Sequence, residues 1–259
     1  MDVLSTKSIA FYSGSVYDHS NGELIEKVNN GDTCVIDPDG NMHLAYKSGN
    51  NAIVSFIPQN SIFAELYISD SITTVFVEGA LNSKRDFPLS DAYTTSDMSQ
   101  TWSHSQLESC LHGLVGYSSP KNGWILLDQF TFGSGRRHIL YKTHDGGQTW
   151  EQISQWTGLD STSIAFATDT LGILCTCDTG CISRTTDGGF TWTSPSVGLP
   201  KGYGRMDLST PVFSDDGKTI AIQVQAYSID SDQVAQYTLT SSDYGVTWQN
   251  IQNEVVEQR

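Results

Sequence analysis

Along this chain hydrophobic and polar positions alternate in short runs, and the runs are separated by Gly, Asp, Asn, Pro and Ser. Between residues 163 and 194 the pattern resolves into four consecutive strands: Ser163 to Thr168 (A), Leu171 to Cys177 (B), Cys181 to Thr186 (C) and Thr191 to Ser194 (D). Similar strands B and C are predicted at Trp124 to Leu127 and Ile139 to Tyr141, and again at Thr219 to Gln225 and Val234 to Thr240. Nearer the N-terminus, the turn Asp37 to Gly40 followed by Asn41 to Ser48 predicts an A-B hairpin. No apolar run approaches the ~20 residues that span a bilayer, so no membrane insertion is expected.

The connections between strands C and D repeat. Thr143 to Trp150, Thr185 to Trp192 and Ser241 to Trp248 superimpose without a gap as Ser/Thr-x-Asp-x-Gly-x-Thr-Trp. Thr95 to Trp102 differs in carrying Ser99 at the glycine position, which predicts a distorted turn. The marker aspartates Asp97, Asp145, Asp187 and Asp243 are spaced by 48, 42 and 56 residues, near the ~40 to 50 of one propeller blade. Tyr46 to Asn50 is read as a decayed fifth copy. The motif explains itself locally. An Asp side chain accepts hydrogen bonds from its own turn, a Gly tolerates positive φ, and Thr-Trp opens the next strand with a ring to bury. The boxes are therefore read as hairpin builders rather than a ligand site.

These boxes resemble those of the Asp-box (bacterial neuraminidase repeat) β-propellers, a group that includes sialidases, sortilin-type receptors, xyloglucanases and photosystem II assembly factors. The resemblance runs from about residue 60 to the C-terminus. It implies an all-β fold, a single β-propeller domain over 1–259 with four-stranded antiparallel blades. Five blades are expected, or six if the N-terminal segment holds extra strands that close the ring. In sialidases an arginine triad, a Tyr-Glu pair and an acidic Asp occupy the central face. Here the first arginine is Arg85, so the early arginine of that pattern is missing. Tyr203 and Glu78 fall in suitable loops, but no spacing ties them together, and no catalytic residue is assigned.

Charge narrows the partners. Fourteen Lys and Arg stand against 29 Asp and Glu, a net charge of -15, which opposes nucleic acid and anionic membranes. In a four-stranded blade the B-C and D-A loops share the end opposite the boxes. These loops are read at Glu78 to Asp91, Asp128 to His138, Ala226 to Gln233 and Ser194 to Asp207. They gather Lys84, Arg85, Arg136, Arg137, Lys201 and Arg205, six of the 14 cations. One reading is an anion site built on arginine forks; the other is surface charge balanced by Asp86, Asp91 and Asp207. Trp156, placed in a D-A loop, either stacks on a sugar or covers a blade edge. The candidate ligand-binding residues are thus Arg85, Arg136, Arg137, Trp156, Tyr203 and Arg205.

Cys175, Cys177 and Cys181 lie close in sequence, but no matching Cys or His pair supplies a zinc set; they read as small buried hydrophobes, with one cross-hairpin disulfide as the alternative. No metal or cofactor is expected. The expected function is noncatalytic recognition of a glycan, peptide or protein. A sialidase-like or other glycoside hydrolase and an assembly factor for a larger complex are the alternatives. Met1 to Phe11 has no basic region followed by an apolar segment. The expected location is extracellular or cell-surface with a signal removed, with the cytoplasm as the alternative.

Overall fold

The computed structural model describes residues 6–10, 24–28, 32–36, 42–45, 51–54, 61–68, 71–79, 89–97, 100–110, 112–130, 135–158, 161–176, 182–194, 203–230 and 233–257, with side chains over most of the span from Tyr67 to Asn250. Among these residues all regular structure is β, in five antiparallel sheets. After β1 (Thr6–Ala10) comes a sheet in the order β2 (Leu24–Val28), β3 (Asp32–Ile36), β4 (Met42–Ala45), β5 (Asn51–Val54). The next contains β6 (Ser61–Ile68), β7 (Thr73–Gly79), β8 (Ser90–Thr95) and β9 (Ser103–Leu107), with β1 added beside β6. The third contains β10 (His112–Tyr117), β11 (Gly123–Phe130), β12 (Arg136–Thr143) and β13 (Glu151–Gly158). β14 (Ser161–Phe166), β15 (Gly172–Thr176) and β16 (Ile182–Thr185) make the fourth. The fifth runs β17 (Tyr203–Leu208), β19 (Ile220–Ser228), β20 (Gln233–Ser241), β21 (Gln249–Glu257), with the two-residue β18 (Val212–Phe213) also on β19. Successive up-and-down sheets of about four strands are the blades of a β-propeller.

Two expected elements differ. Among the described residues, strand D of the fourth sheet is one bridge, Arg184 to Thr193. The turn at Asp37 to Gly40, expected between strands A and B, joins the second and third strands of its sheet, because β2 precedes β3. Its residues, and those of the decayed box Tyr46 to Asn50, lie outside the described residues.

The chain falls into two compact units. One holds residues 2–130 and 139–152; the other holds residue 1, 131–138 and 153–259, so β12 and β13 contribute to both. In the first unit β10 packs on β6 and β7. Its core includes Tyr67, Phe76, Val115, Tyr117, Ile125 and Ile139. In the second, β14 packs on β17, and Ile173, Cys175, Met206, Ile222, Val224 and Leu239 are among the residues that fill the core. Strand pattern follows position. Described side chains of β11 from Gly123 to Asp128 are all buried, so both faces of the strand are covered. In β19, Ile222, Val224 and Ala226 are buried while Gln223 and Gln225 are exposed, so only one face meets a neighbour.

Candidate functional site

The geometry of the boxes is closed. In the box of β12 and β13, Asp145 Oδ1 accepts from Thr143 Oγ1 at 2.7 Å and from the Thr149 amide at 3.0 Å, and Oδ2 accepts from Thr149 Oγ1 at 2.6 Å. The same three bonds recur at Asp187 (2.8, 2.9 and 2.6 Å) and at Asp243 (2.8, 2.9 and 2.7 Å). They recur also at Asp97, at 2.7, 2.9 and 2.6 Å. The Ser99 variant therefore keeps the carboxylate network intact, although residues 98 and 99 lie outside the described ones. Hydrogen bonds to the ionised form lower a carboxyl pKa. The hydroxyl and amide of Thr101 hold Asp97 at about 2, and those of Thr247 do the same for Asp243. At Asp187 partial burial pushes upward, but the bonds from Thr191 outweigh it and the value is again about 2.

Each box also clamps its own blade. The amides of Gly146, Gly188 and Tyr244 donate to the carbonyls of Lys121, Thr170 and Lys218 in the A-B turns at 3.0 Å each. The amides of Gly147, Gly189 and Gly245 donate to the hydroxyl that opens the box, at 2.8, 2.9 and 2.8 Å. The box then reaches the blade before it: Ser154 Oγ donates to the Gly189 carbonyl, and Arg184 Nε to that of Tyr244, both at 2.6 Å. Trp150, Trp192 and Trp248 each precede or open the outer strand. They are half-buried rather than fully buried, with Nε1 enclosed and without a hydrogen-bond partner in all three. Trp150 meets Tyr117, and Trp192 meets Phe166, edge to face at centroid distances of 6.0 and 6.2 Å.

The opposite strand ends carry the sequence candidates, but on strands rather than in loops. Arg136 and Arg137 open β12, because β11 continues to Phe130 and only residues 131–135 remain as connection. Arg136 therefore lies at the end of β12 remote from the Asp145 hairpin. Arg137 donates to Gln155 Oε1, from Nε at 3.2 Å. Trp156 belongs to β13, not a loop. Its ring lies 5.4 Å from that of buried His138 and 5.8 Å from that of Trp192, so it covers a blade edge. Side chains alternate along a strand. Arg136 thus shares the face of His138 and Trp156, while Arg137 and Gln155 occupy the other; the two arginines do not form one fork.

Tyr203 and Arg205 lie on β17, again a strand where a loop was expected. Arg205 is engaged: Nε and Nη2 donate to Asp207 Oδ1 at 3.0 and 2.9 Å, and the guanidinium sits 5.5 Å from the centroid of Tyr227. That is the balanced-charge reading of this residue. Arg85, Lys84 and Lys201 lie outside the described residues.

The sequence reading missed one polar cluster. On β8 and β9, His104 Nε2 meets Asp91 Oδ1 at 2.8 Å, and the His104 ring stacks on Tyr93 at 4.7 Å and 14°. Tyr93 and His104 are cross-strand partners. Burial, then the charge of Asp91, raises the Tyr93 phenol above its ordinary value. Alternation placed Asp91 and Tyr93 on one face, but only the register could bring His104 to them. Cys175 is a buried thiol outside any disulfide, and burial pushes it up to about 12; Cys177 and Cys181 lie outside the described residues. Among the described residues no three His, Cys, Asp or Glu side chains converge to hold a metal.

No family profile matches this chain, and no curated protein matches it. Solved structures do. It is similar to YCF48 bound to D1 peptide, at 12% identity and TM-score 0.45, covering 96% of this chain and 85% of that one. It is similar to the GH74 enzyme of Niastella koreensis, at 12% identity and TM-score 0.44, covering 88% of this chain and 44% of that one. It is similar also to SapL1 lectin in complex with alpha methyl fucoside, at 11% identity and TM-score 0.48, covering 88% and 79%. This chain thus spans less than half the length of the GH74 enzyme. Similarity at this level assigns no function.

Proposed function

We propose that this is a single-domain Asp-box propeller that acts by noncatalytic recognition, binding a glycan, peptide or protein through the strand ends and loops opposite its boxes, outside the cell or on its surface. The observation that carries the reading is the division between the two ends of β12. At one end every oxygen of the Asp145 carboxylate is engaged in its own turn. At the other, Arg136 opens the strand on the face of His138 and Trp156, which puts a cation at the end opposite the box, and a cation there suits a ligand with an anionic group. Arg137 and Arg205 have acceptors in Gln155 and Asp207.

A glycan array read beside a panel of chromogenic glycosides tests it. Binding without turnover is expected. Arg136→Glu should weaken that binding at least tenfold while stability stays within about 0.5 kcal/mol, as for other surface substitutions. Hydrolysis of a fluorogenic sialoside that disappears on Tyr203→Phe would replace recognition with catalysis, and unchanged binding by Arg136→Glu would remove this face from the proposal.

A further inference from the structure

The box hairpins of the last two blades are not equivalent to the earlier ones at their tips. The sixth box position holds Gln100 and Gln148 in the earlier copies, but Phe190 and Val246 in the later ones. Phe190 is 63% exposed and Val246 54% exposed. The fourth position holds Gly146 and Gly188 at φ of 74° and 82°, where glycine is at ease, yet the last box places Tyr244 there at φ 61° and 43% exposed. A bulky side chain in the left-handed region is strained, and such positions persist where the surrounding structure over-determines them and cluster at binding sites. Three of the six large hydrophobic side chains that are exposed among the described residues thus stand on these two turns. The turns are tied together, because Arg184, at the base of the Phe190 hairpin, donates from Nε to the Tyr244 carbonyl at 2.6 Å.

The rim around these apolar tips is acidic. Asp187 and Asp243 sit in the two boxes, and Asp169, Asp215 and Asp216 in the A-B turns that the boxes clamp. Against these five carboxylates stand, among the described residues of these two hairpins and turns, Arg184 and Lys218. A second copy of this chain would bring a net charge of -15 to that rim, and an anionic bilayer would be repelled in the same way. We propose that the box end of the fourth and fifth blades docks a basic segment of a partner protein, whose apolar side chains seat on Phe190, Tyr244 and Val246 and whose Lys or Arg side chains face the surrounding aspartates. Apolar anchors inside a charged rim are the usual anatomy of a protein-protein contact. This surface is separate from the recognition end proposed above.

The test uses the full chain and fluorescence anisotropy with three labelled peptides: an amphipathic peptide of leucine and lysine, the same peptide with serine for every leucine, and the same with glutamate for every lysine. Micromolar binding of the first is expected, at least tenfold weaker binding of the second, and none of the third. Raising salt from about 0.1 M to about 1 M, where the Debye length falls from roughly 10 Å to roughly 3 Å, should weaken the first severalfold. The triple variant Phe190→Ser, Tyr244→Gly, Val246→Ser should lose at least tenfold. If the triple variant does not fold, Phe190→Ser alone decides, with a threefold or greater loss expected from this exposed residue. Equal binding of the leucine and serine peptides, unchanged binding by the variants, or binding of neutral lipid vesicles but of no peptide would each overturn the proposal.

Discussion

Replacing Gly147 by alanine is the sharpest test of what the boxes do. The residue has φ 80°, and a Cβ built on it would lie 2.5 Å from Tyr117 Oη, 2.6 Å from Thr94 Cγ2 and 2.7 Å from Thr94 Oγ1. Those atoms cannot simply step aside. Thr74 Oγ1 lies 3.0 Å from Thr94 Oγ1 and 2.8 Å from Tyr117 Oη, in a buried trio at the joint between the second and third blades. The left-handed backbone costs a non-glycine residue about 1–2 kcal/mol, and overpacking a filled interior adds about 1–3 kcal/mol. The sum, about 2–5 kcal/mol, is a large share of the ~5–15 kcal/mol that holds a protein folded. At about 2–4 °C per kcal/mol for a chain of this size, the melting temperature should fall by roughly 5–15 °C. Gly146→Ala is the internal reference. It has the same backbone penalty at φ 74°, but its Cβ would meet nothing nearer than the Pro120 carbonyl at 3.0 Å and Ile72 Cδ1 at 3.4 Å, so a loss of about 1–2 kcal/mol is expected. Thermal and urea unfolding followed by near-ultraviolet circular dichroism would rank the two. Thr94→Ser in the Gly147→Ala background removes Cγ2 and should recover part of the loss. If Gly147→Ala melts within ~2 °C of the parent, or above Gly146→Ala, the box does not close the blade joint as argued.

Three further outcomes follow from particular groups. Asp97, Asp187 and Asp243 are held at about 2, below the ordinary carboxyl value of 3.8. Their contribution is therefore complete above the unfolded value and lost as pH falls from about 4 through about 2; acid titration of the melting temperature should show that loss, and Asp187→Asn should flatten it, a pH-independent difference counting against the network. Tyr244→Gly relieves a strained φ of 61° and should hold or raise stability by up to about 1 kcal/mol; a clear loss in the same unfolding assay would mean that the half-exposed ring supports the fold. The Cys175 thiol, buried and pushed up to about 12, should not react with a thiol reagent in the native protein at neutral pH. Site-resolved mass spectrometry showing rapid native labelling of Cys175 would contradict its burial.

The sequence alone determined the parts that depend on neighbours along the chain. Box residues lie within four positions of their partners, so the hydrogen bonds of Asp145 to Thr143 and Thr149 follow from local turn chemistry, and the strands beside them follow from alternation. Even the single-faced burial of β19 is written in its alternating Ile222, Gln223, Val224 and Gln225. Tertiary structure decided what depends on register and on the neighbouring blade. Trp156 became packing surface because Trp192 of the following sheet stands 5.8 Å from it. Arg136 and Arg137, adjacent in sequence, were sent to opposite faces once β12 began at Arg136 instead of leaving both in a loop. Arg205, two residues from Asp207 on the same strand, met Tyr227 through the pairing of β17 with β19, and His104 reached Asp91 only through the register of β8 with β9. A turn closes over four or five residues and can be read from them; a side chain's partner across a sheet is fixed by pairings that local sequence does not encode.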